Sequence, residues 1–331
     1  MAKSAKEIMT VTTPSGGALL SPDGKGPGAK LLPVSRANNS LWRDAWRRLR
    51  RNKLAMLGLI AVVVLILVAI FAPWIARYEP DKPFYDSTSP KPYNEQNFQP
   101  PSADHWLGTT GQNYDLWARI VYGSRISLSV GFVVQVIVLL IGVPLGLIAG
   151  FYGGWIDNLI MRLVDIFRAF PYLLLALLFL SAFGSSIWWV YVAIAVSTWP
   201  LMARLVRGQI LGLKNKEYIE AAHATGASTF RIISRHILPN TLGPIIVAVS
   251  YGVPEAIITE AFLGFIGVSG DPAAPSWGRL ISEGRDAFQS NSPTILIFPC
   301  LMVVITVLAL NFLGDGLRDA LDPRQSQVGK K

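Results

Sequence analysis

The side chains that most often carry catalysis or bind metals are few and scattered in this sequence. Its three histidines, His105, His223 and His236, are far apart and have no carboxylate or cysteine at metal-ligand spacing. The single cysteine, Cys300, lies in a long apolar run, where a thiol behaves as a small hydrophobic group. The sequence also lacks the Gly-x-Ser-x-Gly turn of hydrolases and the phosphate-binding Gly-x4-Gly-Lys-Ser/Thr loop. We therefore predict neither a catalytic site nor a metal site in this chain.

Four polar residues interrupt otherwise apolar segments: Gln135, Glu255, Glu260 and Asn311. A charged side chain at the centre of a bilayer costs about 3 kcal/mol or more, so such residues are candidates for function. Two interpretations of the glutamates, near the expected external end of their segment, stay open. Either both reach water at the membrane rim, or Glu255 lines a solute vestibule. On the second interpretation Gln135, Glu255 and Glu260 are the candidate residues of a solute pathway.

A short helix is predicted in the polar segment between two of the long apolar segments. Asn215 can cap its first free amides, and Glu217 lies in the first turn, where the helix dipole favours an acid. Gly226 can supply a left-handed stop at the other end. The sequence thus predicts a helix of about ten residues over 216–225, too short to be stable alone.

Small side chains leave the backbone of this predicted helix open to close approach. Ala221, Ala222 and Ala224 contribute little side-chain volume, so another protein could contact the helix directly. The alternative is an alanine-rich turn that packs within this chain, and periodicity alone favours that alternative.

A second short helix is predicted directly after the first. Ser228 can cap it, and it is expected to run over residues 229–238. Pro239 is expected to end or kink it just before the next apolar segment.

Composition and patterning predict an all-α polytopic membrane protein. Only 15% of the 331 residues are charged and 51% are hydrophobic, whereas soluble domains carry about 25% charged residues. The apolar residues form long runs, and about 20 mostly apolar residues suffice for a helix to cross a bilayer. The third and fourth runs are short, but each can extend as a helix on one side. Six transmembrane helices are predicted, over residues 54–72, 126–149, 170–183, 187–201, 242–262 and 293–313.

The distribution of basic residues predicts the orientation of these spans. Residues 1–53 hold 11 Lys or Arg and 3 Asp or Glu, and residues 204–238 hold 6 and 2. Residues 77–118 hold 3 and 6, and residues 263–292 hold 2 and 3. Because cytoplasmic loops are enriched in Lys and Arg, both termini and residues 204–238 are predicted to be cytoplasmic.

The N-terminal region is predicted to contain a disordered tail and an interfacial helix. Residues 1–40 are rich in Gly, Pro and Ser, which is typical of a disordered segment. Residues 41–76 are expected to hold an interfacial helix and the first transmembrane helix. The apolar face of the interfacial helix is formed by residues at helical spacing, with arginines opposite: Trp42, Ala45, Trp46 and Leu49. The alternative is a basic tail that serves only as a topology signal.

The two predicted short helices and the residues that lead into the following span resemble a known motif. Glu220-Ala221-Ala222, Gly226 and Leu238-Pro239 resemble the "EAA" loop of permease subunits in binding-protein-dependent ABC importers. In that family, this short helix docks into a groove of a cytoplasmic ATPase. Residues 235–240, Arg-His-Ile-Leu-Pro-Asn, are similar to the form found in dipeptide and oligopeptide importers, with His236 where the family usually has isoleucine.

Further motifs extend the resemblance over about residues 41–324, to the C-type permease of that group. One departure lies in the expected external loop: after Gly108-Thr109 the group commonly has Asp and then Gly-Arg-Asp, but this chain has Thr110 and Asn113-Tyr114-Asp115. The matching motifs are Leu41-Trp-Arg-Asp44, His105-Trp-Leu-Gly-Thr109, Tyr122-Gly-Ser-Arg-Ile-Ser-Leu128, Ser276-Trp-Gly278, and Asn311-Phe-Leu-Gly-Asp-Gly-Leu-Arg-Asp-Ala-Leu-Asp-Pro323.

The resemblance implies a type I ABC importer permease fold and a division of the chain into functional parts. The core permease domain is expected at residues 123–314, with a cytoplasmic coupling loop at 212–238. An extracytoplasmic loop is expected at 77–122, where the many prolines indicate no regular structure, and a cytoplasmic tail at 315–331. The residues expected to couple to the ATPase are Glu217, Tyr218, Glu220, Ala221, Ala222, Gly226 and Pro239.

The resemblance also implies partners, cargo and location. A homologous second permease would complete a heterodimer in the plasma (inner) membrane of a prokaryote, in contact with lipid and with no nucleic acid. Two cytoplasmic ATPase subunits would use ATP and Mg²⁺, so this chain would bind no cofactor and would not be an enzyme. An extracytoplasmic solute-binding protein would deliver dipeptides or oligopeptides. Alternatives are an oligosaccharide, nickel-chelate or glutathione importer or, less favoured, a stand-alone secondary transporter, which would need coupling carboxylates or an inverted repeat.

Overall fold

The computed structural model of the chain describes residues 41–84, 97–268, 274–288 and 292–322. The predicted disorder of residues 1–40 lies outside the described residues, as do the middle of the Pro-rich loop and most of the tail after residue 322. Within the described ranges the protein is almost entirely helical, and the only β pairing is an isolated bridge between Thr109 and Asp115.

Twelve α-helices and one π-helical turn make up the described fold. In chain order they are α1 (Leu41–Leu49), α2 (Lys53–Ile70), α3 (Ala72–Ile75), α4 (Leu116–Tyr152), α5 (Gly154–Ala169), α6 (Tyr172–Phe183), α7 (Ile187–Leu213), α8 (Glu217–Ala224), α9 (Thr229–Ile232), a π-helical turn (Ile233–Ile237), α10 (Leu238–Phe265), α11 (Trp277–Phe288) and α12 (Thr294–Leu321).

Five helices of the described chain are long and apolar enough to cross a membrane, and a sixth span exists only as a broken pair. The five are α2, α4, α7, the continuous helical stretch that ends with α10, and α12. The run at 170–183 does not extend as a helix on either side: α6 ends at Phe183, and a break of 87° separates it from α5. Phe170 is extended (φ −93°, ψ 138°), as the residue before Pro171 must be to avoid its ring. The twelve residues of α6 span about 18 Å, which is too short to cross a bilayer.

The central contact of the bundle is between α4 and α7, which run parallel because the broken pair returns the chain between them. Three glycines one turn apart, Gly142, Gly146 and Gly150, bring the two backbones together. A Cβ atom on Gly142 would lie 2.8 Å from Met202 Cβ, and one on Gly150 would lie 2.9 Å from Ile210 Cβ. Close packing through small residues is the usual way in which helices associate in a membrane.

The remaining helices surround this pair. Helix α10 packs against α4 and α12, and α2 lies along α12, where Gly58 sits against the Ala309 carbonyl. Helix α5 is tied to α7 by ion pairs. Arg207 donates from Nε and Nη2 to Asp157 at 2.5 and 2.6 Å, and Arg204 Nη2 donates to Asp165 at 2.6 Å.

One end of the bundle carries α8, α1 and the last turns of α12; we call it the α8 end. Helix α1 packs its Ala45 and Leu49 face against Ala320, and Arg48 Nη1 donates to the Asp322 carbonyl at 3.1 Å. Trp46 is 49% exposed on the other side of the helix. Of the predicted apolar face, Ala45 and Leu49 pack on α12, and the placement of Trp46 at the membrane interface stays a prediction.

The other end of the bundle carries α11 and the first turn of α4; we call it the α11 end. Helix α4 begins at Leu116, earlier than the predicted loop boundary at residue 122, because Asp115 caps it. The Oδ1 atom of Asp115 accepts from the Ala118 amide at 2.7 Å, while Oδ2 pairs with His105 Nδ1 at 2.8 Å. Sequence patterning did not predict α11, which lies between the last two spans.

Candidate functional site

The predicted short helix exists as α8, with eight residues instead of about ten. Its N-cap is Lys216, and no side chain caps the helix there, so the predicted cap by Asn215 is wrong. The first amides are instead satisfied by the backbone: Ile219 N and Glu220 N donate to the Lys216 carbonyl at 2.8 and 3.1 Å. Local backbone turns thus replace a cap that the residue type alone suggested.

Gly226 ends α8 with the left-handed conformation that the sequence predicted. Its φ is +78°, its amide donates to the His223 carbonyl at 2.9 Å, and Ala227 N donates to Ala222 O at 3.0 Å. Apart from its two chain neighbours, no residue comes within 4 Å of the position that a Cβ would take on Gly226. The requirement for glycine at this position is therefore set by backbone conformation and not by space.

Helix α8 is attached to the bundle by one narrow face, and its other faces are open. Ile219 is only 1% exposed and packs into the main core, with Ala222 partly buried beside it. The remaining predicted coupling residues are exposed at the α8 end: Glu217, Tyr218, Glu220, Ala221, Gly226 and Pro239. The structure thus brings all seven predicted coupling residues to one end of the bundle and leaves six of them accessible.

Sequence reasoning missed one prominent member of this surface. Phe230, in the first turn of α9, is 81% exposed, the highest exposure of any large hydrophobic side chain in the described residues. Ser228 caps that turn as predicted, since its Oγ accepts from Arg231 N at 3.4 Å. An aromatic residue within a polar loop was the available signal. We call the exposed set Glu217, Tyr218, Glu220, Ala221 and Phe230 the α8 surface.

The connection from the α8 surface into the bundle differs from the prediction. The second helix does not end at Pro239: α9 passes through the π-helical turn Ile233–Ile237 into α10 without interruption. Pro239 lies just after the π-helical turn inside this continuous helix, where it has no N–H to donate to the preceding turn. A π-helical turn adds one residue to a single turn of a helix, and the helix continues on both sides of it. The α8 surface is therefore continuous with one helix that crosses the bundle.

A cavity of about 520 Å³ lies beside this helix, among α4, α6, α7, α10 and α12. Gln135 and Glu255 line it, as do Tyr251 and Arg318. Tyr251 Oη donates to Asp315 Oδ1 at 2.5 Å, which joins α10 to α12 at the wall. The lining runs from Glu255 back to Pro244, near the first turn of α10. The cavity thus extends from the middle of the bundle toward the α8 end, and not toward the expected external end of α10.

Glu260, the third residue of the candidate pathway, does not line this cavity. It is 1% exposed at the α11 end, so the interpretation in which both glutamates reach water is wrong for Glu260. Ser127 Oγ donates to Glu260 Oε2 at 3.1 Å and accepts from the Trp277 amide at 3.2 Å. Glu260 thus lies near the first residue of α11, where the helix dipole favours a negative charge. Its observed contacts join three helices.

The fully buried Trp277 completes this arrangement, since its Nε1 donates to the Ile120 carbonyl at 3.1 Å. We call Ile120, Ser127, Glu260 and Trp277 the Trp277 cluster. Beside it, the fully buried Arg119 donates from Nη2 to Glu283 Oε1 at 3.2 Å. These polar contacts fasten α11 to α4 and α10.

The segment that departs from the resembled family, residues 110–115, contains several buried polar side chains. Thr110, Asn113 and Asp115 are each at most 3% exposed. Thr110 Oγ1 accepts from Gln112 N and Tyr114 N, which closes a tight turn, and the Arg119 guanidinium lies 4.5 Å from the Tyr114 ring centre. These side chains shape the turn instead of presenting a contact surface. Among the described residues, no group of three or more His, Cys, Asp and Glu side chains is placed to hold a metal.

Two family profiles match the sequence. The family "Binding-protein-dependent transport system inner membrane component" matches residues 142–327, which is more than half of the chain. The family "N-terminal TM domain of oligopeptide transport permease C" matches residues 40–101.

Several characterised proteins are similar over most of their length. The dipeptide transport system permease protein DppC of Alkalihalophilus pseudofirmus is 45% identical, covering 86% of this chain and 90% of that protein. The oligopeptide transport system permease protein OppC of Bacillus subtilis is 44% identical, covering 88% and 92%. The glutathione transport system permease protein GsiD of Pectobacterium atrosepticum is 41% identical, covering 88% and 95%.

A solved structure shares the fold. A chain of the MetNI methionine ABC transporter, in an inward-facing conformation, aligns with a TM-score of 0.52 and 22% identity, over 62% of this chain and 96% of that chain. The type I permease fold is thereby confirmed. The chain belongs to the family of inner membrane components of binding-protein-dependent transport systems.

Proposed function

We propose that this chain is one of two homologous permeases in an ATP-driven peptide importer, and that its α8 surface docks onto an ATPase subunit. The observation that carries the proposal is the exposure of the α8 surface, in which Phe230 is 81% exposed and Tyr218 is 43% exposed. Aromatic side chains are enriched among the residues that carry most of the binding energy at protein interfaces.

The proposed assembly contains two permeases, two ATPases and a solute-binding protein. The α8 end carries the arginines of α1, and the basic bias of residues 1–53 and 204–238 supports a cytoplasmic location for that end in a prokaryotic cell. ATP and Mg²⁺ belong to the ATPase subunits, and this chain contributes no catalytic group. The α11 end then faces the solute-binding protein across the inner membrane.

The proposed mechanism is alternating access driven from the α8 surface. Closure of the ATPases would displace α8, and the continuous helix through the π-helical turn would carry that displacement into α10. Because α10 lines the cavity with Gly252 and Glu255, its movement would change access to the solute path. Packed interfaces of this kind switch between discrete arrangements as rigid bodies.

Peptides are the proposed cargo, since the DppC and OppC relatives are named for dipeptide and oligopeptide transport. Glutathione is the main alternative, because the GsiD relatives are 41–43% identical to this chain. A carboxylate, Glu255, and a guanidinium, Arg318, both line the cavity and would suit the ammonium and carboxylate groups of a short peptide. Neutral oligosaccharides offer no such pair of opposite charges.

Phe230→Ala tests the docking proposal. The complex would be purified through the permease, and the retained ATPase, the ATP hydrolysis rate and uptake would be measured separately. We expect about a tenfold or larger loss of ATPase retention, as for a buried aromatic anchor at an interface. Phe132→Ala is the matched control, because Phe132 is also exposed (40%) but lies on α4 away from the α8 end.

Normal ATPase retention and uptake in Phe230→Ala would refute the docking role of this surface. Uptake that follows the proton gradient while ATP stays high would instead favour a secondary transporter. Binding of sugars but not peptides by the cognate solute-binding protein would refute the proposed cargo and leave the docking role intact.

A further inference from the structure

The face of α1 that does not pack on α12 carries an unusual concentration of positive charge. It lies next to the start of α2, the first span. Arg43, Trp46, Arg47, Arg50 and Arg51 line one groove of about 400 Å³; we call it the Arg–Trp groove. Residues 43, 46, 47 and 50 fall at helical spacing on one side, while Ala45 and Leu49 on the opposite side pack on α12. The groove therefore faces away from the protein.

The charges of this groove are scarcely neutralised by the protein. Among the described residues, Arg43, Arg50 and Arg51 form no ion pair, and Arg47 meets only Asp44, at 3.8 Å and with both side chains exposed. An exposed pair of this kind contributes little. Arg48 is engaged elsewhere, since it donates to the Asp322 carbonyl. Four guanidinium groups thus line one groove with a half-exposed indole.

The groove is held at a defined position relative to the membrane. Only Asn52 separates Arg51 from α2, and its Oδ1 accepts from Ala55 N at 3.2 Å to cap that span. The packing of Leu49 and Ala45 against the last turn of α12 fixes the other side of α1. Arg50 and Arg51 are therefore expected at the level of the lipid headgroups around the start of α2.

We propose that the Arg–Trp groove binds the headgroup of an anionic phospholipid. Guanidinium groups donate paired hydrogen bonds to phosphate oxygens, and an indole prefers the boundary between headgroups and acyl chains. Clusters of four or more basic residues next to a transmembrane helix are typical of anionic-lipid binding. The lipid would brace the junction of α1, α2 and α12, and its role is separate from the docking of the α8 surface.

The test uses the purified transporter complex in neutral detergent, titrated with short-chain phosphatidylglycerol. Binding is followed by the fluorescence of Trp46, taken as the difference between the wild type and Trp46→Phe. We expect a saturable change with phosphatidylglycerol and none with phosphatidylcholine. Arg47→Gln and Arg50→Gln should each weaken binding about fivefold, as expected for one basic residue near an anionic surface.

Arg162→Gln is the matched control, because Arg162 is an exposed arginine on α5 with no ion pair among the described residues. Its affinity for phosphatidylglycerol should equal that of the wild type. Arg47→Lys keeps the charge and should lose less than Arg47→Gln, and it serves as the second variant should Arg47→Gln fail to assemble.

Several outcomes would overturn the proposal. These are equal responses to phosphatidylcholine and phosphatidylglycerol, equal weakening by Arg162→Gln, or the same response to inorganic phosphate at equal concentration. Binding of a single-stranded oligonucleotide in the groove at lower concentration than phosphatidylglycerol would assign this face to nucleic acid instead.

Discussion

At the α11 end of the bundle, polar side chains are buried and bonded to one another, whereas at the α8 end they are exposed. Glu260 and Arg119 each have a partner within the chain and are at most 1% exposed. Glu220 and Tyr218 are exposed, on a helix that packs on the bundle mainly through Ile219. Polar side chains at the α11 end therefore bond within the chain, whereas those at the α8 end are accessible to another molecule.

This difference indicates that the α11 end is rigid and that the α8 end is open to contact. A buried polar group is costly unless it is hydrogen-bonded, so the contacts of the Trp277 cluster specify one arrangement of α4, α10 and α11. An eight-residue helix with one buried face has little stability of its own. The α8 end is therefore suited to be moved by a partner, and the α11 end to keep three helices together. The four predictions below test this contrast.

Trp277→Ala should have the largest effect, and on stability. Removing a fully buried indole that donates to the Ile120 carbonyl is expected to cost about 3–5 kcal/mol. Thermal unfolding of the purified complex measures the loss. Trp74→Ala is the control, because Trp74 is 77% exposed and should change stability little. Equal melting temperatures for the two variants would show that the α11 end is not held by this cluster.

Gly226→Val should reduce uptake per assembled complex about tenfold and leave the bundle folded. A β-branched residue at φ +78° costs about 1–2 kcal/mol, and the strain falls on the end of α8. Gly212→Val is the matched control, since Gly212 also has open space around its Cβ position but no positive φ. Uptake is compared in proteoliposomes at equal amounts of complex. Undiminished uptake with retained ATPase subunits would contradict the coupling role of α8.

Glu220→Lys should impair uptake several-fold with almost no change in stability. The side chain is exposed in the first turn of α8, where reversal of its charge opposes the helix dipole by about 0.3–1 kcal/mol. Glu220→Gln, which removes the charge but keeps the shape, should fall between wild type and Glu220→Lys. ATP hydrolysis and uptake are measured on the same preparation. Equal uptake by all three proteins would mean that charge at this position is irrelevant to the α8 surface.

Glu255→Gln should have the smallest effect, limited to the handling of cargo. The cavity keeps its volume and loses one negative charge, so uptake of a cationic peptide should fall about two- to fivefold relative to an anionic one. ATPase retention and basal hydrolysis should match the wild type, because Glu255 lies in the middle of α10. A loss of ATPase retention with unchanged uptake per assembled complex would show that Glu255 does not belong to the solute path.

The membrane architecture and the left-handed end of α8 were predictable from the sequence because they depend on local chemistry. The length of an apolar run identifies a transmembrane helix whatever that helix packs against. Gly226 has φ +78°, a conformation that glycine adopts more readily than other residue types. The family motif likewise consists of residues close together in sequence. The cap by Asn215 was predicted from residue type and was wrong, because the backbone of Lys216 supplies those contacts instead.

Pro171 was a local signal for the break between α5 and α6, whereas only the tertiary structure decided the existence of α11 and the different surroundings of two glutamates. Glu255 and Glu260 are five residues apart on one helix, so they point to different sides of it. Which side meets a cavity and which meets Ser127 depends on α4 and α7, which lie far away in sequence. Sequence determines the period and polarity of each helix, but the burial of a side chain depends on the neighbouring helix that packs over it.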